Sequence, residues 1–258
     1  MKSHARKIAA LIGACLLASF AAPIAFALKP FARADDRAIQ ADGPASPDKD
    51  ALPELTATPY HGAPPKIDGI PDDAAWCGSH SSDDFKLEDG AAPKGKTRFN
   101  VVRDDKTLYI LVVCPESEAD LKTLKADATQ AAPEDVWADD SVELFIDPAG
   151  ARQSYYQIIA NSKGVHWEGY HATANYPSPW DAHAEVAAAS NNKDCWAVEF
   201  AIPLSAFENT PKFSDVWTFN VVHSRIAAGE ILQWSPVHGS SNHAPDRFGK
   251  LKGMPVKK

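Results

Sequence analysis

Ten short runs of β-branched, aromatic and aliphatic residues cross the second part of this chain, with Gly, Pro, Asn or Asp between them. They lie at 97–103, 108–113, 141–147, 155–161, 165–170, 185–189, 196–202, 217–222, 231–234 and 248–251. Runs this short are too brief for helices, and turn residues at this spacing send the chain back on itself each time. The pattern predicts an all-β fold: an antiparallel β-sandwich, jelly-roll-like, with one or two short helices. The runs at 97–103 and 108–113, joined through Asp104, Asp105 and Lys106, read as a hairpin. Helix is expected only at 117–128 and in a turn near 204–207. There is no internal repeat and no β-α-β rhythm.

The front of the chain reads differently. Lys2, Arg6 and Lys7 precede an almost wholly apolar stretch that closes on Ala25-Phe26-Ala27. This is the pattern of a secretory signal peptide, residues 1–27, which predicts an exported protein, periplasmic or extracellular. Pro23 and the A-x-A end favour cleavage over a membrane span. Residues 12–15, ending at Cys15, resemble a lipobox, so lipoprotein anchoring stands as an alternative. From 28 to 58, Ala, Asp and Pro dominate and few large side chains can be buried. Such a segment cannot offset its ordering entropy, so it reads as a disordered linker. The fold is then expected over 59–258, about 200 residues and large enough for one core.

The formal net charge is −8, and cleavage would remove three basic residues more. An acidic chain fits nucleic acid poorly, since phosphate backbones reward clustered Lys and Arg. Cys77, Cys114 and Cys195 remain after cleavage. In an exported protein that predicts one disulfide and one thiol, with Cys77–Cys114 the expected pair. No C-x-x-C or H-x-x-x-H pattern suggests zinc. No nucleophile elbow, phosphate loop or kinase signature is present, so no motif argues for an enzyme.

The stretch 136–148 (VWADDSVELFIDP) carries the richest chemistry. In a strand over 141–147, Val142, Leu144 and Ile146 face one way, while Ser141, Glu143, Phe145 and Asp147 face the other. The first set suits the gap between two sheets. The second faces outward or into a concavity. Trp137 precedes the strand, where its indole can overhang that second face. An aromatic plate beside a carboxylate suits a sugar: the apolar C–H face stacks, and Glu143 accepts from hydroxyls. Asp139 and Asp140 read either as turn and capping residues or as oxygen ligands for calcium.

The order of several motifs is more specific than any one of them. They are IDGIPDDAAW (67–76), DDKTLY (104–109), WADDSVELFID (137–147), YQIIAN (156–161), VEFAIP (198–203), WTFN (217–220), WSP (234–236) and RFG (247–249). The series resembles the family-9 carbohydrate-binding modules, across essentially all of the folded part. That resemblance implies a sandwich that binds polysaccharide or oligosaccharide, commonly holds structural calcium and often accompanies a secreted glycanase. It implies no organic cofactor and no membrane span. Trp137 matches the first of two sugar-clamping tryptophans, and Glu143 the sugar-accepting glutamate. An arginine of the family falls at Ile159 here, a glutamine at Val222, and the second tryptophan near Asn242 or His243. The site residues expected from this reading are therefore Trp137, Glu143, Arg225, Asn242 and His243, with Asp139 and Asp140 for a metal. Arg225 is included as a hydroxyl donor standing in for those absent. Trp167, Tyr170, His171, Tyr176 and Trp180 form an aromatic patch that either supplies stacking surface or packs a loop.

The function expected is non-catalytic binding of a glucan- or xylan-type saccharide in support of polysaccharide breakdown. Three other readings remain open. One is an interaction domain without a sugar site. Another is a haem-binding sandwich, for which Met1 and Met254 are the only methionines and bis-histidine ligation the only route. The third is a glycoside hydrolase. Glu143 and Asp147, four apart on one strand, stand roughly 13 Å apart, too far for either glycosidase geometry.

Overall fold

The computed structural model describes residues 51–172, 177–191, 193–239 and 241–256. The expected signal peptide, Cys15, most of the expected linker and Tyr176 lie outside these residues. In chain order the strands are β1 (Glu54–Thr56), β2 (Thr58–Pro59), β3 (Ser81–Ser82), β4 (Lys86–Leu87), β5 (Arg98–Arg103), β6 (Thr107–Pro115), β7 (Ser141–Asp147), β8 (Tyr155–Asn161), β9 (His166–His171), β10 (Ser178–Pro179), β11 (Glu185–Ser190), β12 (Cys195–Pro203), β13 (Val216–Arg225), β14 (Glu230–Gln233) and β15 (Gly249–Lys252). Among the described residues they form two sheets. The larger runs β1-β15-β13-β7-β8-β9-β10, with β14 paired to β13 and β4 to β14; the smaller runs β11-β12-β6-β5-β2, with β3 against β5.

All ten expected runs are strands. Alternation decides which way each faces. Val142, Leu144 and Ile146 of β7 enter the core shared with Ile110 and Val112 of β6 and Val198, Phe200 and Ile202 of β12. Trp196, Trp217 and Trp234 fill its bulk. Each large side chain so buried contributes roughly 1.5–3 kcal/mol. The outer face of the small sheet is covered by the 67–76 motif. Glu199 pins that segment: its carboxylate accepts from the backbone N–H of Asp68 (3.0 Å) and Gly69 (2.8 Å) and from Trp76 Nε1 (2.9 Å).

Four expectations are corrected. Part of the segment expected as linker is strand, since β1 pairs in parallel with β15 and β2 with β5. The helix over 117–128 is a single turn, α1 (Glu118–Leu121), capped by Ser117. Beyond it, the backbone N–H of Lys125 is taken by Asp140, and those of Asp127 and Ala128 by Asp139. Donors that helix would use internally are thus committed elsewhere. In addition, Pro133–Ala138 forms a 3-10 turn that alternation could not reveal, with Pro133 at its start. The Cys77–Cys114 bridge is not formed. Cys114 is a thiol buried between the sheets and Cys77 is exposed. Cys114 and Cys195 sit on adjacent strands but enter clusters on opposite faces of the small sheet.

No helix among the described residues is long and apolar enough to cross a membrane.

Candidate functional site

The outer face of the large sheet carries the site. Register places Trp167, Ile159, Glu143, Val222 and Gln233 in one row across β9, β8, β7, β13 and β14. Glu143 is the middle of that row. Both residues directly opposite it are aliphatic, Ile159 on one side and Val222 on the other, the two positions on which the family's arginine and glutamine fall by resemblance. A cleft of about 760 Å³ opens above the row, lined by Trp137, Glu143, Gln157, Trp167, Asn242 and His243 among others.

Trp137 reaches this cleft from the 3-10 turn. Val136 turns inward and packs with Ala128, Ile159 and Val165, which leaves the next side chain pointing out. The Trp137 indole is 64% exposed, a large apolar surface left in water over the cleft. Trp137 and Glu143 thus line one and the same cleft.

Glu143 is buried and held from three sides. Oε2 accepts from Gln157 Nε2 (2.9 Å), and Oε1 accepts from Asn242 Nδ2 (3.1 Å) and from the Ser224 hydroxyl (3.5 Å). These neighbours are all neutral. Burial pushes the carboxyl up from 4.5 to about 7, against the three hydrogen bonds that pull it down. Asn242 is itself fixed, its Oδ1 accepting from Gln233 Nε2 at 2.8 Å. His243 packs edge-on against Phe145, and its Nδ1 lies 2.7 Å from the Tyr155 hydroxyl. His171 stacks on Tyr155, with ring centroids 4.6 Å apart. Burial lowers both imidazoles, His171 to about 4, so both rings are neutral at pH 7.

Arg225 does not join the cleft. Its guanidinium pairs with Glu116 and Glu230, and one residue of strand alternation explains the miss: Ser224 faces the cleft, so Arg225 faces away. Asp139 and Asp140 are loop clamps. Asp139 accepts from the N–H groups of Asp127 and Ala128 and from Asn161 Nδ2; Asp140 accepts from those of Lys125 and Ala227. Each of the four carboxylate oxygens thus accepts at least one N–H in this arrangement.

The aromatic patch divides. Trp180 and Tyr170 pack against Tyr156. Trp167 and His171 line the cleft. Gln157 is the site residue that residue-by-residue reading passed over; its place two residues after Tyr155 on the strand facing Glu143 is the signal that could have found it.

A family model described as carbohydrate family 9 binding domain-like matches residues 67–253. No curated protein matches the chain. Solved structures similar in fold include the following three. One is a protein of Bacteroides uniformis ATCC 8492, with TM-score 0.59 and 17% identity, covering 78% of this chain and 99% of that one. The others are of a family-9 module of Caldicellulosiruptor kristjanssonii. Its complex with glucose has TM-score 0.52 and 16% identity, over 78% of this chain and 95% of that one. Its complex with cellotriose has TM-score 0.53 and 17% identity, over 79% and 95%.

Proposed function

The chain belongs to the carbohydrate family 9 binding domain-like family, and from that premise we propose that its cleft binds a glucan- or xylan-type saccharide without catalysing its breakdown. The observation that carries the reading is the exposed Trp137 indole over the same cleft whose floor holds Glu143. An indole offers its face to the C–H side of a pyranose, and a carboxylate offers lone pairs to its hydroxyls. The Caldicellulosiruptor module, similar in fold, was captured with glucose and with cellotriose. Trp167 supplies a second aromatic wall in place of the tryptophan absent near Asn242 and His243.

The donor side of recognition is thin. Ile159 and Val222 offer no hydrogen bonds beside Glu143, so selectivity rests on stacking and on the carboxylate. A shallow stacking site loses much of its gain to desolvation and ordering, which places affinity in the weak range. The leader-like sequence at 1–27 supports an exported setting, where such a module would bring a glycanase or its host cell to polysaccharide.

Isothermal titration with cello- and xylo-oligosaccharides tests the reading. Heats that vanish in Trp137→Ala support it. Flat heats in the wild-type chain, or heats that Trp137→Ala leaves unchanged, overturn the site. Assay of the same samples for released reducing sugar separates binding from hydrolysis.

A further inference from the structure

Trp167 is a wall of two grooves. On one side lies the cleft over Glu143. On the other, between β9, β10 and the turn Leu204–Ala206, lies a second groove of about 750 Å³. Both are of the size that small-molecule sites commonly have, and they share two residues, Trp167 and Pro177. The shared wall has a structural cause. The Trp167 indole lies over Gly169: a Cβ at that position would come within 2.3 Å of indole Cη2 and 3.1 Å of the Pro177 ring. Only glycine lets the indole settle between the two grooves against that proline.

The second groove repeats the chemistry of the first. Trp167, Pro177 and Pro179 give it apolar surface; Asp181 and Glu208, both exposed, give it carboxylates on the rim. We propose that it is an extension subsite for the same saccharide chain, so that an oligosaccharide crosses the Trp167 edge and occupies both grooves. The inference rests on the saccharide reading above and adds to it a length requirement and a charge preference. Carboxylates accept from neutral hydroxyls and repel carboxylated sugars, so the occupant is a neutral oligosaccharide and not a uronate. Continuity between the grooves distinguishes this from two unrelated hollows: a chain seated on the Trp137 side leaves toward Trp167 and Pro177, which already border the second groove.

Titration of the full chain with glucose, cellotriose and cellohexaose, a matching xylo-series, and oligogalacturonate tests it. The Kd is expected to fall by about tenfold or more from glucose to cellohexaose. Ser205→Trp fills the second groove from an exposed position of the turn. In that variant the glucose Kd is expected to stay within about twofold of wild type while the hexasaccharide loses its advantage. The double substitution Asp181→Ala, Glu208→Ala is expected to reduce the same advantage without adding bulk. If glucose and cellohexaose bind equally, if Ser205→Trp keeps the length dependence, or if oligogalacturonate binds as well as cellohexaose, the extension subsite is wrong and the first cleft stands. If no sugar gives heat, the saccharide reading fails and takes this subsite with it.

Discussion

Gln157 holds Glu143 from the neighbouring strand, its Nε2 donating to Glu143 Oε2 at 2.9 Å while its Oε1 lies 2.9 Å from His171 Nε2. Above about pH 7, where the Glu143 carboxyl is ionised, it can only accept, so it fixes which end of the amide faces it. The other end is then a carbonyl, which requires His171 Nε2 to carry its proton. One carboxylate in the row thus sets the orientation of an amide and the tautomer of an imidazole across three strands.

Trp137→Ala should leave stability almost unchanged, because the indole is 64% exposed and surface truncations usually fall within about 0.5 kcal/mol. Its stacking contribution of about 0.5–1.5 kcal/mol should appear as a loss of roughly threefold to tenfold in saccharide affinity. Calorimetric titration beside a thermal melt separates the two quantities.

Glu143 makes both stability and binding depend on pH, in opposite senses. Its folded value of about 7 lies above its ordinary 4.5, so the native state holds a proton that the unfolded state releases. Its contribution to stability is full below about 4.5 and is lost as pH rises through about 7. Glu199, raised to about 7 mainly by burial, adds the same sign. Melting temperature should fall from pH 5 to pH 8, and Glu143→Gln should flatten part of that slope while leaving the share of Glu199. Saccharide affinity should rise over the same range, since the ionised carboxylate is the stronger acceptor.

Arg225→Met should destabilise the fold without touching the cleft. It would leave the Glu116 and Glu230 carboxylates without their buried guanidinium partner. Breaking a buried pair from one side costs about 3–5 kcal/mol, or roughly 10 °C in melting temperature for a domain of this size. Sugar affinity measured well below the melt should match wild type; a large affinity loss in the folded variant would return Arg225 to the site.

Gly169→Ala should shift the Trp167 indole, since the added methyl and Cη2 cannot both occupy a 2.3 Å separation. Tryptophan fluorescence should change, and affinity for a hexasaccharide should fall more than affinity for glucose. Unchanged fluorescence would place the indole elsewhere.

A chelator should leave the melting temperature unmoved if amides, and not a cation, occupy Asp139 and Asp140. Asp139→Ala should lower it, because it strands the N–H groups of Asp127 and Ala128 at about 1–3 kcal/mol for each one left buried and unpaired.

Alternation and turn chemistry determined the strands, their inward and outward faces, and the orientation of Glu143. These depend on a period of two, which local sequence carries in full. Motif order added the family, and with it Trp137 as the residue beside Glu143. Only the tertiary structure decided the rest, because it depends on which strands become neighbours. Register set Ile159 and Val222 on either side of Glu143, and joined Gln157 to it and His171 to Gln157 from a third strand. A single step along β13 sent Arg225 to Glu116 and gave its place to Ser224. The Asp139 and Asp140 carboxylates met the amides of 125–128 because a loop folded back onto them, and those amides were then lost to the expected helix. Spacing along a chain cannot report contacts of that kind, since they exist only once distant segments have packed.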